Sequence, residues 1–393
     1  MEEKSVVDGK NGQFIYYFQP IISTDRGRVS DLEALVRFET EDGEIIAPGA
    51  FIPQMEAEGS IDLFTRLYFP LLVQSARSFC EIDPQLRLSF NLSSQSLQIE
   101  DCAAFLLQVL DQQEVKPSSM QLEVLETGLL QQNQIVEENL KRLSAAGMII
   151  AMDDYGTGYS SIDTLSLWPF SSIKLDRDLI KRMLNSQKAT TIVETSILMA
   201  HQLGITVVAE GIEHQAQYRF LTSSGCDKLQ GFWIARPMPM EHAVKFVQDK
   251  QSKHDQCPPV GLIMQAQMDH LEWRRRLIQE LESIQFESES GQPRVAHRTP
   301  ELNHHHCRFG GWYYSSDESY TEWEEFQALR QPHREFHQLA NQLISHVKEG
   351  KKDSRLMALL AEMDEKTIEM VILLQRLEMR SFLFNESGGA SEN

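Results

Sequence analysis

From about residue 14 to residue 240, short apolar runs alternate with stretches whose apolar residues recur every three to four positions. Residues 14–22, 29–38, 86–92, 120–125, 148–152, 172–175, 205–209 and 226–229 predict strands. Residues 61–79, 103–112, 134–145, 190–203 and 215–222 predict the helices between them. Gly147 and Gly204 stand just before strands, where helix C-caps are expected. Runs this apolar suit a parallel sheet buried on both faces. Eight strands alternating with helices predict an α/β fold, a (β/α)8 TIM-like barrel over residues 10–250. The first two strands lack a full helix between them, so the first strand is expected to pair irregularly.

The alternation stops at a polar stretch ending in Pro258-Pro259, which predicts a linker over 251–261. Beyond it the period is helical throughout. Residues 262–284, 320–329, 335–348 and 354–376 predict helices, and 288–303 a loop. The expectation for 262–386 is an all-α helical bundle, followed by a disordered tail at 387–393.

Composition narrows the class of partner. A net charge of −20 argues against a nucleic-acid-binding surface, because phosphate backbones call for basic patches. A small anionic ligand stays open if metal ions supply local positive charge. The apolar runs are too short for membrane insertion, and the start of the chain does not read as a secretory signal. Five scattered cysteines do not read as a disulfide framework. The expected location is cytoplasmic.

The ends of the expected strands carry the chemistry. Ile149-Ile150-Ala151-Met152 runs into Asp153-Asp154 and then a glycine-spaced, hydroxyl-rich loop. Two adjacent acids at the end of a buried strand repel each other and are costly to desolvate unless a cation sits on them. Glu33, Asn91, Glu123, Glu126, Lys174, Glu210 and Gln230 also fall at or near strand ends, where barrels of this kind place their sites. Each has a plainer reading alone. Asn91 with Ser93-Ser94 reads as a helix N-cap, Lys174 as a surface charge, and Glu126-Thr127 as a cap. Together they put several carboxylates on one rim, and an oxygen-rich set with one amide suits Mg²⁺ or Mn²⁺ better than zinc.

Glu33-Ala34-Leu35, Asn91-Leu92-Ser93, Glu123 and Glu126 on one strand, Asp153-Asp154, Lys174-Leu175-Asp176, Ala209-Glu210-Gly211 and Gln230-Gly231 occur in the order of the motifs of EAL-type cyclic-di-GMP phosphodiesterases. Residues 10–250 resemble that family. The resemblance implies hydrolysis of cyclic di-GMP to linear pGpG with two Mg²⁺ or Mn²⁺ ions per site. Glu33, Asn91, Glu123 and Asp153 would hold one ion; Asp153, Asp154 and Glu210 the other. It further implies that Lys174 touches the attacking water, Glu126 braces the loop after Asp154, Gln230 positions Lys174 or the water, and Leu35 and Arg37 contact substrate. Leu125 and Tyr155 depart from the family's usual threonine and phenylalanine. The alternative is a catalytically weak cyclic-di-GMP receptor or scaffold with a purely structural zinc site.

The second part of the chain carries a different set. His333 and His337 lie four apart on one expected helix, hence on one face. With His270 and Cys307 they make one cysteine and three histidines, a closed set that suits zinc. The spacing of His270 and Trp273, then Cys307 and Gly310, then His333 and His337 is similar to the chemoreceptor zinc-binding (CZB) domain. That resemblance covers about residues 262–380 and implies one zinc ion on His270, Cys307, His333 and His337. The run His304-His305-His306 reads as an auxiliary metal site or, preferably, a loop; Trp273 and Trp312 read as core aromatics. A zinc site joined to a phosphodiesterase suggests zinc-dependent modulation in a homodimer, or zinc as a structural element only.

Overall fold

The computed structural model describes residues 5–7, 9–25, 27–125, 133–156, 165, 167–251, 260–290, 300–315, 319–349 and 353–388. The chain divides into two compact units, one of Met1–Leu221 with Cys226–Lys253 and one of Thr222–Gly225 with His254–Asn393.

In the first unit the strands are β1 Ser5–Val7, β2 Lys10–Ser23, β3 Val29–Thr40, β4 Ile45–Ile46, β5 Arg87–Asn91, β6 Met120–Leu125, β7 Ile149–Tyr155, β8 Ser172–Leu175, β9 Thr206–Ala209 and β10 Lys228–Gln230. β3 and β5 to β10 run parallel in sequence order, and β2 closes the ring by pairing antiparallel with both β3 and β10. The irregular first strand has a simple cause. The connection from Ser23 to Val29 is a tight turn in which Ser23 N–H donates to the Arg28 carbonyl, too short for the crossover that a parallel pair requires. β1 and β4 are short additions that pair with β2 and β3.

The strands are less uniformly apolar than the runs suggested. In β6, Met120, Leu122 and Val124 alternate with Gln121 and Glu123, and all five are buried. A side-chain period of two turns one set toward the helices and the other into the barrel lumen. Helices Ile61–Ile82, Cys102–Gln112, Gln134–Ala145, Gln187–Leu203 and Gln215–Ser223 cover the outside. Gly204 ends the fourth of them with φ 75°, in the left-handed region that a side chain would strain.

In the second unit, helices Val260–Ser290, Arg308–Ser315, Glu324–Ala328, Arg330–Lys348 and Ser354–Gly388 enclose a core that includes Leu277, Leu281, Phe309, Phe326, Phe336, Leu343, Met363 and Leu374. The helix at Arg308–Ser315 had no counterpart in the periodicity, because Gly310 and Gly311 have low helix propensity. Gly310 is there for space: a Cβ would stand 1.9 Å from the His304 carbonyl oxygen. The last helix continues to Gly388, past residue 387 where the tail was expected. Of the expected linker, residues 252–259 lie outside the described ones.

Candidate active site and metal centre

Lys174, in the middle of β8, is 1% exposed and is no surface charge. Its Nζ lies 2.5 Å from Glu210 Oε1, 2.8 Å from Glu123 Oε2, and 3.6 Å from both Glu33 Oε1 and Asp153 Oδ1. Four strands and one strand end therefore meet on a single ammonium. Around it the amides are ordered. Asn91 Nδ2 donates to Glu33 Oε1 at 3.1 Å, and Gln230 Nε2 to Glu33 Oε2 at 2.6 Å. Gln230 thus hydrogen-bonds Glu33, which itself lies 3.6 Å from Lys174. Asn91 does not cap a helix; Ser93 does, accepting from Gln95 N–H.

Burial decides the protonation of this cluster. Desolvation pushes the Glu123 carboxyl well above the ordinary range, against the pull of Lys174, and raises Glu210 to about 8. Glu33 is equally buried, yet Lys174, Gln230 and Asn91 hold it below its ordinary value. Lys174 loses solvation too, but four acids raise its pKa, so without a metal it is an acid and no base. Asp154 is raised by burial and by Asp153. Between pH 4.5 and 8 the folded barrel therefore keeps a proton on Glu210 that an unfolded chain has already released. Glu210's contribution to metal-free stability is fullest below pH 4.5 and falls as pH rises, by about 3 kcal/mol at pH 7, whereas the lowered Glu33 contributes in the opposite sense. Thermal melts of chelator-treated wild type and Glu210→Gln at pH 5 and pH 8 check this: the variant is expected to lose less stability over that interval.

Carboxylates that must stay protonated or lean on one lysine form a donor set that a divalent, oxygen-preferring ion fits. Glu33, Asn91, Glu123, Asp153, Asp154 and Glu210 are the residues available to it. Asp154 has φ 57°, unusual for a residue other than glycine, and its N–H donates to Asp153 Oδ1 at 3.0 Å. Glu126 and residues 157–164 of the following loop lie outside the described residues.

A cavity of about 250 Å³ opens beside Glu33, Glu210 and Gln230 and is lined by Leu35, Arg37, Arg177 and Phe232. Arg37 Nη1 donates to its own strand's Val36 carbonyl at 2.7 Å. Arg177 pairs with Glu213 at 2.5 Å, and a Cβ on Gly211 would collide with the Arg177 side chain. Gln19 is the residue that motif reasoning missed. It lies on β2, and its Oε1 accepts from Gln230 at 3.2 Å. The available signal was a polar residue interrupting the apolar run Phe18-Gln19-Pro20-Ile21.

In the helical unit, ligand atoms of Cys307, His333 and His337 lie within 4.8 Å of one another, all three residues buried. Cys307 Sγ is 3.3 Å from His333 Nε2 and accepts from Gly310 N–H at 3.2 Å. His337 Nδ1 donates to the Leu302 carbonyl at 3.0 Å, which leaves Nε2 for a metal. His270 lies outside that tight group. Its ring packs 4.4 Å from Phe336, and its Nε2 is buried with no hydrogen-bond partner among the described residues, as is His333 Nδ1. Burial lowers the histidines to about 3 for His270, 2 for His333 and 4 for His337, and raises the Cys307 thiol to about 11. Neutral imidazoles with orphaned nitrogens beside a sulfur are a donor set suited to zinc.

His304 lies with its ring 6.1 Å from that of His333, and its pKa is lowered by burial, His305, Arg334 and Arg330. The nearby guanidinium groups disfavour a second cation there. Trp273 packs against the core and donates from Nε1 to the Glu301 carbonyl at 2.8 Å.

A closed barrel with an anionic, amide-braced cluster at the carboxyl ends of its strands defines an α/β barrel protein with a polar, cation-accepting site. The chain belongs to the EAL domain family, whose model matches residues 4–237, and residues 270–344 match the chemoreceptor zinc-binding domain. It is 34% identical over 237 residues to the cyclic di-GMP phosphodiesterase RocR of Pseudomonas aeruginosa, covering 60% of this chain and 60% of RocR. With PdeR of Escherichia coli, also a cyclic di-GMP phosphodiesterase, the figures are 31% identity, 58% of this chain and 35% of PdeR. The match thus spans less than two thirds of either relative. Among solved structures, the P. aeruginosa MucR phosphodiesterase in complex with c-di-GMP superposes with TM-score 0.56 at 31% identity, over 59% of this chain and 94% of that one. The manganese and c-di-GMP complex of Klebsiella pneumoniae BlrP1 gives 0.52 at 29% identity, over 60% and 58%.

Proposed function

We propose that this protein is a metal-dependent phosphodiesterase that hydrolyses cyclic di-GMP to linear pGpG, with one zinc ion in the helical unit modulating the activity of a homodimer. The observation that carries the reading is the convergence of Glu33, Glu123, Asp153 and Glu210 on buried Lys174. In this reading Glu33, Asn91, Glu123 and Asp153 would hold one Mg²⁺ or Mn²⁺, and Asp153, Asp154 and Glu210 would hold the second. Bound there, divalent cations supply Lewis-acid polarisation of the phosphodiester and a lowered pKa for water.

The chain's own residues do the rest. Gln230 and Asn91 fix the Glu33 carboxylate from two sides, and Gln19 fixes Gln230. Arg37 leaves its backbone carbonyl to meet a phosphate oxygen, and Leu35 lines the cavity for the base or sugar. Lys174 places a positive charge where negative charge develops and orients the attacking water; it takes a proton only once its pKa has fallen.

Chromatography of products from full-length protein with cyclic di-GMP and Mg²⁺ tests this directly. The expected product is pGpG for wild type and none for Glu33→Ala, and a zinc-selective chelator is expected to change the wild-type rate. Tight binding of cyclic di-GMP without turnover would replace the enzyme by a receptor. Equal rates with and without the chelator would make the zinc structural only.

A further inference from the structure

The final helix, Ser354–Gly388, lies beyond residues 270–344 that match the zinc-binding family. One side packs on the helical core through Leu359, Met363, Met370, Leu374 and Leu377. The other side leaves Ile368 60% exposed, Ile372 43% and Met379 60%. Ala361, Glu365 and Gln375 are exposed with them. Positions 361, 365, 368, 372, 375 and 379 advance by four and three in turn, the seam spacing of a coiled coil. A groove on this face has Glu365 at one end, Arg376 at the other, and Ile368 and Ile372 between them.

The charges single out one kind of occupant. Along this helix Arg355 pairs with Glu362, Asp364 with Arg274, Lys366 with Glu335 and Glu369, and Arg380 with Glu325. Glu365 and Arg376 have no such partner among the described residues. They are of opposite sign and sit near the two ends of an apolar patch, so the patch is complementary to itself when turned end over end.

We propose that this face packs against the same face of a second copy of the chain, the two helices antiparallel about a two-fold axis that crosses the exposed face at the level of residue 370, between Ile368 and Ile372. In that register Ile368 meets Ile372 of the second copy, the small Ala361 receives Met379, and Glu365 meets Gln375 and Arg376. A parallel pair would set Glu365 on Glu365 and Arg376 on Arg376, so the charge order opposes it. The contact from 361 to 379 is about 27 Å long, which makes a modest interface whose dimer fraction depends on concentration.

Sedimentation velocity of the full chain over a wide concentration range, at low ionic strength, tests this. Wild type is expected to dimerise, and Glu365→Arg or Arg376→Glu alone to weaken the dimer about tenfold, since each puts like charges at both ends of the seam. An equimolar mixture of the two variants is expected to dimerise as wild type does, because every seam contact in the mixed dimer is again a pair of opposite charges. That recovery also reports that both variants are folded. Ile368→Asp with Ile372→Asp is expected to give a monomer with unchanged far-ultraviolet circular dichroism. A monomeric wild type, a dimer that survives the double aspartate change, or variants that weaken singly without recovering when mixed each overturn the antiparallel seam. The proposal stands independently of whether the barrel hydrolyses cyclic di-GMP.

Discussion

Lys174→Met is expected to lower cyclic di-GMP turnover by about 10²–10⁴-fold, and also to destabilise the metal-free barrel while increasing its stabilisation by Mn²⁺. Lys174 is the only cation touching Glu33, Glu123, Asp153 and Glu210 among the described contacts. Removing one partner of a buried ion pair leaves uncompensated charge and costs about 3–5 kcal/mol. Here the acids relieve part of that cost by taking up protons. The raised values of Glu123 and Glu210 rise further, so the loss grows with pH and fades toward pH 4.5. A divalent ion that no longer competes with the ammonium then contributes more. Melting curves at pH 8, in chelator and in Mn²⁺, together with product chromatography, check both halves. If the metal-free variant melts as wild type does, the lysine is not what holds the acids together. If turnover persists, Lys174 takes no part in the chemistry.

That double role of Lys174 was not readable from the sequence, although its position was. The strand ends were legible because a carboxylate closing an apolar run is locally costly, and this is visible in residues such as Met152-Asp153-Asp154. The barrel was legible because each buried strand is a short apolar run with a helical period after it. What escaped depends on contacts distant in the chain. Gln19 reaches Gln230 across 211 positions, through a first strand whose antiparallel direction only the short Ser23–Val29 connection betrays. Gln230 was expected to position Lys174 or the water; its hydrogen bond to Glu33 is a choice of partner that no motif encodes.

In the helical unit the His333 and His337 pair was legible from its spacing, whereas Gly310 disguised the helix that carries Cys307's neighbours. The distance of His270 from the tight Cys307, His333 and His337 group likewise belongs to packing, with Phe336 beside its ring.

The buried histidines give the second large effect, and its sign is opposite to that of the acids. His270, His333 and His337 are held neutral to about pH 3, 2 and 4. In an unfolded chain they take up protons below about pH 6.5. Metal-free stability of the helical unit is therefore full above pH 6.5 and lost as pH falls toward 4. At pH 5 each histidine costs about 2 kcal/mol, so at most about 6 kcal/mol together, comparable to the whole stability of a small domain. Zinc held by the neutral nitrogens and the Cys307 thiolate would oppose this, contributing about 4 kcal/mol at a thousandfold excess over its dissociation constant. Acid titrations followed by circular dichroism should show the metal-free chain losing helix between pH 6.5 and 4, and the zinc-loaded chain losing it at lower pH. His333→Leu separates the two effects. It is expected to make the metal-free chain more acid-resistant, because one buried imidazole is gone, and to remove the zinc-dependent protection. If His333→Leu is as acid-labile as metal-free wild type, the imidazoles are not what acid attacks. If zinc protects the variant as well as it protects wild type, His333 is not a ligand.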